Sequence, residues 1–334
     1  MERGFWEKLN KPIFALAPMA DVTDATFRQI IAQYGKPDVM WTEFVSCDGL
    51  CSAGRKNLLI DLKYSEAERP IVAQFFGATP KNFYICAKLA VELGFDGIDI
   101  NMGCPDKNVV KQGAGAGLIR TPKLAQEIIY ETKRGAGKLP VSVKTRAGDI
   151  ENTISKWLLY LLETNPVAIT IHARTRKELS LVPARWDIIS EAVKINREYY
   201  GLTKEKTLIL GNGDVKNLEE AEERIMEIGA DGIMFGRGIF GNPFLFNKKN
   251  RKISIEEKLR VMIEHTKLFQ KMFFNKKEER WIKNFDIMKK HYKAYMQGFD
   301  GAKELRVKCM EAKNADEVEK IIMNFKTLNK SKFI

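Results

Sequence analysis

The sequence predicts an α/β protein: a (β/α)8 TIM barrel followed by a small C-terminal helical bundle. Three observations carry that prediction. Eight short runs rich in Ile and Val recur along the chain, each followed by a helical-looking segment, at the spacing that a strand plus its returning helix requires. The runs are continuously apolar rather than alternating, as parallel strands buried on both faces must be. Beyond about residue 250 the apolar pattern becomes helical, and the charge balance changes with it.

Taken in order, the runs are IFALAPM from Ile13, VMWTEFV from Val39, PIVAQFFG from Pro70 and GIDINMG from Gly97, then VSVKTR from Val141, AITIHAR from Ala168, TLILGNGD from Thr207 and GIMFGRG from Gly232. They fill residues 1–248, close to the ~250 residues typical of a barrel. A doubly wound sheet is the alternative, but it would begin with a glycine-rich first turn, and the turn after Met19 reads ADVTD. Residues 249–334 read as the bundle. Ile255, Leu259, Met262, Ile263 and Phe269 fall near one stripe, and Trp281, Phe285, Met288, Tyr292 and Tyr295 step by four, three, four and three. Those aromatics read as bundle core, which leaves Lys289, Lys290 and Lys293 off the stripe as candidates to face a partner.

Charge separates the two parts. The chain has 55 basic and 43 acidic residues, and from Asn247 onward there are 23 basic against 12 acidic, so the first 246 residues are nearly neutral at 32 against 31. A basic C-terminal region points to a polyanionic partner, nucleic acid before membrane, because no apolar run reaches the ~18 residues of a spanning helix. At 45 % apolar and 29 % charged residues, disorder is excluded as the overall state. Five cysteines are too scattered for a disulfide framework, and three histidines assemble no zinc spacing, so no metal is expected. The apolar stretch Pro12–Ala20 imitates a signal segment but reads better as the first strand, and the expected compartment is the cytoplasm.

In a barrel the chemistry sits where the strands end. Those ends are polar here: Pro18-Met19, Glu43, Gln74, Asn101 to Cys104, Lys144, His172 to Arg176, Asn212 to Asp214, and Gly236-Arg237. GNGD and GRG, on the seventh and eighth runs, combine small residues with backbone donors and an arginine, the composition of a phosphate site. Lys144 reads either as an ammonium against the polar edge of a bound ring or as a Schiff-base lysine of an aldolase. His172 shares the mouth with Lys144 and Gln74 and reads as a ligand contact. Cys104, in NMGCPDKN before the glycine-rich QGAGAGL, reads as a loop thiol, mostly protonated near neutrality and able to act as an acid toward a carbanion-like carbon. Cys47 and Cys51 read as packing residues.

These segments together resemble the flavin-dependent tRNA-dihydrouridine synthases. The resemblance runs from APMADVTDATFR (Ala17 to Arg28) through TEFVS, QFFG, GFDGIDINMGCPDKNVVKQGAGAGLI, VKTRAG, ITIHARTR, GNGDV and GRGIFGNP, and extends to HYKAYMQGFDGAKELR (His291 to Arg306). The stretch KELSLVPARWD after Arg176 departs from it where relatives commonly show tyrosine and glycine. The resemblance implies FMN across the barrel mouth, with Pro18, Met19 and Ala20 along one side of the ring and Gln74 and Lys144 at its polar edge. Asn212, Gly213, Asp214, Gly236 and Arg237, helped by His172, would hold the phosphate end. It further implies NADPH as reductant, hydride delivery to C6 of a uridine in tRNA, protonation of C5 by Cys104, uracil binding by Asn101 on the same loop, and tRNA phosphates at Arg174 and Arg176. No obligate protein partner is expected. A flavin barrel acting on free pyrimidines, and an RNA-binding protein that kept a barrel as scaffold, remain the rival readings.

Overall fold

The computed structural model describes residues 3–202, 206–248 and 253–329. Eight strands form one parallel sheet: β1 (Ile13–Leu16), β2 (Met40–Ser46), β3 (Ile71–Phe76), β4 (Gly97–Met102), β5 (Val141–Arg146), β6 (Ala168–His172), β7 (Leu208–Asn212) and β8 (Gly232–Phe235). Each of the eight predicted runs supplies one strand. Neighbours follow chain order from β2 to β8, β8 then pairs with β1, and the circle closes where Leu16 N donates to Val39 O at 3.1 Å. The helices Pro80–Glu92, Pro122–Ala136, Ile154–Leu162, Trp186–Tyr200 and Leu218–Ile228 return between strands, and the first two start with proline, whose missing N–H costs nothing at that position.

Because side chains alternate across a strand, every second residue points into the barrel. At the N-terminal end of the strands these inward positions are apolar: Ala15, Trp41, Val72, Ala168, Leu210 and Met234 pack into one core with Trp6. Burying each large side chain of such a core stabilises the fold by roughly 1.5–3 kcal/mol. One or two steps further along the same strands the inward positions turn polar. Register places Gln74 beside Asp99, Asp99 beside Ser142, Asn101 beside Lys144, and His172 beside both Arg146 and Asn212. The barrel is therefore apolar at one end and polar at the mouth.

The chain divides into two compact units at a different place from the expected 248/249 boundary, part of which falls on residues 249–252, outside the described residues. One unit is Met1–Ala20 with Pro37–Gly238; the other is Ile239–Ile334 together with Asp21–Lys36, which carries the helix α1 (Ala25–Tyr34). The helix that follows the first barrel strand thus belongs with the C-terminal helices α2 (Ile255–Phe273), α3 (Ile287–Tyr295), α4 (Ala302–Glu311) and α5 (Ala315–Leu328). Side-chain caps start three of them: Asp24 accepts from Thr26 N and Phe27 N, Ser254 from Glu257 N, and Asn314 from Glu317 N. The aromatic stripe is only partly helical. Trp281 lies in a two-stranded hairpin with Phe274–Asn275, and α3 begins after it, at Ile287; Trp281 instead stacks on Phe285 at 4.8 Å, while Met288, Tyr292 and Tyr295 are buried as expected.

The centre of this unit is an aromatic cluster. Phe27 of α1 lies 5.0 Å from the ring of His265 in α2 and 4.5 Å from His291 in α3, and the two imidazoles are 4.6 Å apart. Both are fully buried, and burial lowers both pKa values, that of His291 to about 4. A histidine that ionises less readily folded than unfolded contributes stability present above the unfolded pKa of ~6.5 and lost as pH falls through the folded value. The unfolding temperature should accordingly drop between pH 6.5 and 4. His291→Phe should remove part of that drop in a calorimetric pH series; an unchanged pH dependence in the variant would contradict the assignment.

Candidate active site

At the C-terminal ends of β6, β7 and β8, and beside the turn after β1, lies an open cavity of about 260 Å3. Pro18 and Met19, from the turn after β1, line it together with Lys144 of β5 and His172 of β6, and with Asn212, Gly213, Asp214, Gly236 and Arg237 from the ends of β7 and β8. Ten of the residues singled out by sequence meet here, since Arg174 also lines the cavity. Ala20, Gln74, Asn101, Cys104 and Arg176 do not line it. Lys289, Lys290 and Lys293 belong to the other compact unit.

The electrostatics of this cavity are one-sided. His172 has its pKa pushed down to about 2, first by burial and then by Lys144, Arg146, Arg174 and Arg237. Its ring is therefore neutral, in a field set by four cations. Arg174 can only donate, so its contact with His172 Nε2 at 3.1 Å makes that nitrogen the acceptor and leaves the proton on Nδ1. Lys144 is itself lowered to about 8, by burial first and then by Arg146, and donates to Asn212 Oδ1 at 3.3 Å. The amide of Asn212 is fixed from its other end, where Nδ2 donates to Met234 O at 2.7 Å. A Cβ on Gly236 would meet nothing within 4 Å, so its backbone borders open space.

Two expectations change at this end of the site. Arg174 is 2 % exposed and its guanidinium is taken up by Val182 O, His172 and Asp214, so it organises the cavity and is not placed to meet an external RNA phosphate. Asp214 accepts from Arg174, from Arg237 at 2.7 Å and from Ala184 N at 2.9 Å, and is better described as the carboxylate that aims two arginines than as a ligand for an anion. Arg176 keeps 23 % exposure and pairs with Asp149.

The second half of the site is the loop after β4. Asn101 sits on β4 itself, not on the loop, and its Oδ1 accepts from Gly103 N at 3.1 Å and Cys104 N at 2.9 Å. Its Nδ2 donates to Gln74 Oε1 at 3.0 Å, and Gln74, wholly buried, donates in turn to Asp99. Both amides are thus committed to holding the loop. Burial raises the Cys104 pKa, so the thiol stays protonated near neutrality. Cys47 is buried as expected of a packing residue, but Cys51 is exposed.

The glycine-rich segment after Cys104 is not a loose stretch. Gly115–Arg120 forms a buried 3-10 helix, and Ala116 N donates to Cys104 O at 3.0 Å. Gly115 has φ +56°, and a Cβ there would lie 2.9 Å from Cys104 O, so glycine serves close approach here rather than mobility. Arg146, missed in the sequence, closes the arrangement: it donates to Gly103 O at 2.8 Å and to Thr175 O and Leu179 O, tying the Cys104 loop to the loop after β6. Its signal was available, because Arg146 shares the inward parity of Lys144 on β5.

Comparison with known proteins agrees with this geometry. The family model described as Dihydrouridine synthase (Dus) matches residues 15–331. The chain is 41 % identical to the Probable tRNA-dihydrouridine synthase 2 of Bacillus subtilis (strain 168) over 97 % of both chains, and 40 % identical to the Probable tRNA-dihydrouridine synthase of Staphylococcus aureus (strain MRSA252), covering 97 % of this chain and 96 % of the relative. Among solved structures, that of TcOYE with pHBA superposes with a TM-score of 0.52 at 11 % identity, covering 73 % of this chain and 91 % of that one, a likeness of fold. An eight-stranded parallel barrel with polar strand ends, a loop cysteine and a cationic cavity, matched across nearly its whole length, places this chain in the dihydrouridine synthase family.

Proposed function

We propose that the protein reduces the C5=C6 bond of uridines in tRNA to 5,6-dihydrouridine, with FMN as bound cofactor and NADPH as reductant. The observation that carries the reading is the pairing, on one barrel mouth, of a cationic cavity with a protonated thiol on a braced loop. The cavity suits FMN on its own evidence. Lys144, Arg146, Arg174 and Arg237 all bear on His172, and the one carboxylate among the described residues lining the cavity, Asp214, is shared between Arg174 and Arg237, so positive charge outweighs negative and suits an anion; the open backbone at Gly236 beside Asn212, Gly213 and Arg237 is the kind of cradle a phosphate takes. Pro18 and Met19, with the neighbouring Ala20, would offer the surface for a flat ring, and Lys144 would be the cation toward its polar edge. Once bound there, FMN would supply the hydride that reaches C6 after reduction by NADPH.

The chain's own residues supply the rest. Hydride arriving at C6 leaves negative charge developing at C5 and O4, and Cys104 Sγ–H is the acid that protonates C5. Asn101, Gln74 and Arg146 hold the loop so that the thiol keeps its position, and the Nδ1–H of the neutral His172 is available to the cofactor. A uridine in folded RNA must leave its stack to reach such a pocket, at a cost of a few kcal/mol. Phosphate contacts from the basic C-terminal region offset that cost. Lys293 is exposed there, while Lys289 pairs with Asp286 at 2.6 Å and Lys290 lies 3.5 Å from Asp21, so all three must reach RNA from the same helix, two of them by exchanging carboxylate partners.

The purified protein should be yellow and release FMN on denaturation. Arg237→Ala with Asn212→Ala should strip the flavin while the circular dichroism melt stays cooperative; wild-type protein that remains colourless after incubation with FMN would sink the cofactor assignment. Affinity for tRNA should fall steeply with salt, each neutralised phosphate contributing roughly 0.7–0.9 to the log–log slope. Replacing Lys289, Lys290 and Lys293 with glutamine should flatten that slope and leave flavin content alone, whereas an unchanged slope would move the RNA surface to other residues. In stopped flow, Cys104→Ala should bleach normally on adding NADPH, yet be reoxidised by tRNA about 100- to 10,000-fold more slowly. Reoxidation at the wild-type rate would remove the thiol from the mechanism.

A further inference from the structure

Beneath the Cys104 loop, three strands share an uninterrupted line of hydrogen bonds. Ser142 Oγ on β5 donates to Asp99 Oδ1 at 2.5 Å; Gln74 Nε2 on β3 donates to Asp99 Oδ2 at 2.6 Å; Asn101 Nδ2 on β4 donates to Gln74 Oε1 at 3.0 Å. The line ends where Asn101 Oδ1 accepts the backbone N–H groups of Gly103 and Cys104. Asp99 and Gln74 are buried to within 1 % of completely and Ser142 to within 2 %, so no solvent can substitute for a missing partner.

A side-chain amide can be turned end for end at almost no steric cost, so two amides in series have no preferred sense of their own. Here both ends impose one. Backbone N–H groups can only donate, so Asn101 must present its oxygen to Cys104. At the other end Asp99 presents an oxygen that only accepts, so Gln74 must present its nitrogen there and its oxygen to Asn101. Were Gln74 to turn, its oxygen would face the carboxylate and its NH2 would face that of Asn101; Asn101 would then turn too, setting its NH2 against the N–H groups of Gly103 and Cys104. A buried carboxylate is costly, and burial raises this one to about pH 6 against the opposing pull of Ser142, Gln74 and Lys144. An apolar residue would pack at this depth without that cost.

We propose that Asp99 is a positioning residue for the reaction: as a fixed acceptor at the base of the line, it holds Gln74 in the sense that Asn101 requires and so keeps the Cys104 loop in its working geometry. The consequence for catalysis rests on the reading of Cys104 as the acid; the consequence for the loop does not. What matters is the acceptor, not the charge. An asparagine at 99 can keep its oxygen toward Gln74 and turn its NH2 to Ser142 Oγ, whose hydroxyl then swings to Ile98 O, 3.4 Å away in this structure. A leucine of similar size offers no acceptor.

The test compares the flavin-loaded wild type with Asp99→Asn and Asp99→Leu by two readouts. The first is the rate of alkylation of Cys104 by iodoacetamide, resolved by peptide mass spectrometry against exposed Cys51 in the same sample. The second is reoxidation by tRNA in a single turnover at saturating tRNA. Asp99→Leu should change the Cys104-to-Cys51 ratio at least fivefold and slow reoxidation at least tenfold, with flavin bleaching by NADPH within twofold of wild type. Asp99→Asn should stay within about threefold on both readouts. An Asp99→Leu protein with a wild-type alkylation ratio would overturn the proposal, as would an Asp99→Asn protein as impaired as the leucine variant. If Asp99→Leu does not fold, Asp99→Asn decides alone: retention supports the acceptor role and loss overturns it. The alkylation ratio reads the loop whether or not Cys104 is the acid, so a failure here is distinct from a failure of the Cys104→Ala experiment.

Discussion

Every polar side chain that a parallel barrel points inward must find its partner within the protein, and the rest of this site depends on that constraint. The strands are short and buried on both faces, so Gln74, Asp99, Asn101, Ser142, Lys144, Arg146, His172 and Asn212 bond one another, Arg174 or the backbone groups at the strand ends. They are satisfied in two connected directions. Toward β3 and β4 the bonds run to the amides of Gly103 and Cys104 and immobilise a loop; toward β6 to β8 they run to Asn212 and Asp214 and aim cations at a cavity. Lys144 stands where the two meet, beside Asn101 in register and bonded to Asn212. The apolar N-terminal end of the barrel provides stability and leaves the mouth free to carry this polar load.

Electrostatics then separate the two candidate tasks. Burial first, and then the surrounding positive groups, keep the imidazole of His172 neutral, and the same positive groups favour an anionic ligand. Around Cys104 burial dominates, and the thiol retains its proton despite Arg146 and Lys144 nearby. An acid that keeps its proton and a cradle that wants negative charge are different demands. Placing the first on a loop after β4 and the second at the ends of β7 and β8 lets one barrel mouth meet both.

Much of this was legible in the residues. The eight runs showed themselves because strands buried on both faces have no polar side to interrupt them, and the strand ends stood out because polar groups there break an apolar run. Asp99 was not legible as anything but an oddity, since GIDINMG reveals an acidic residue inside a strand but not the Ser142 and Gln74 that satisfy it from neighbouring strands. Arg174 looked like a surface arginine because exposure is a property of the fold, and only the fold brings Asp214 and Val182 to it. The grouping of Asp21–Lys36 with the C-terminal helices was hidden for a similar reason: Phe27 announces a buried face on α1 but not that His265 and His291, more than two hundred residues later, are what cover it. Trp281 fell on a helical period by coincidence, and its hairpin partners, two residues long, were too short to leave a pattern.

The central claim is that two different donors serve the two carbons of the uracil ring, a hydride from the cofactor side and a proton from Cys104. Isotope placement tests it most directly. Reaction with nicotinamide-deuterated NADPH in ordinary water, and with ordinary NADPH in heavy water, should put deuterium at C6 in the first case and at C5 in the second when the product nucleoside is read by NMR. Nicotinamide-derived deuterium at C5, or a C5 that takes up no deuterium from heavy water, would contradict hydride delivery to C6 and proton delivery to C5.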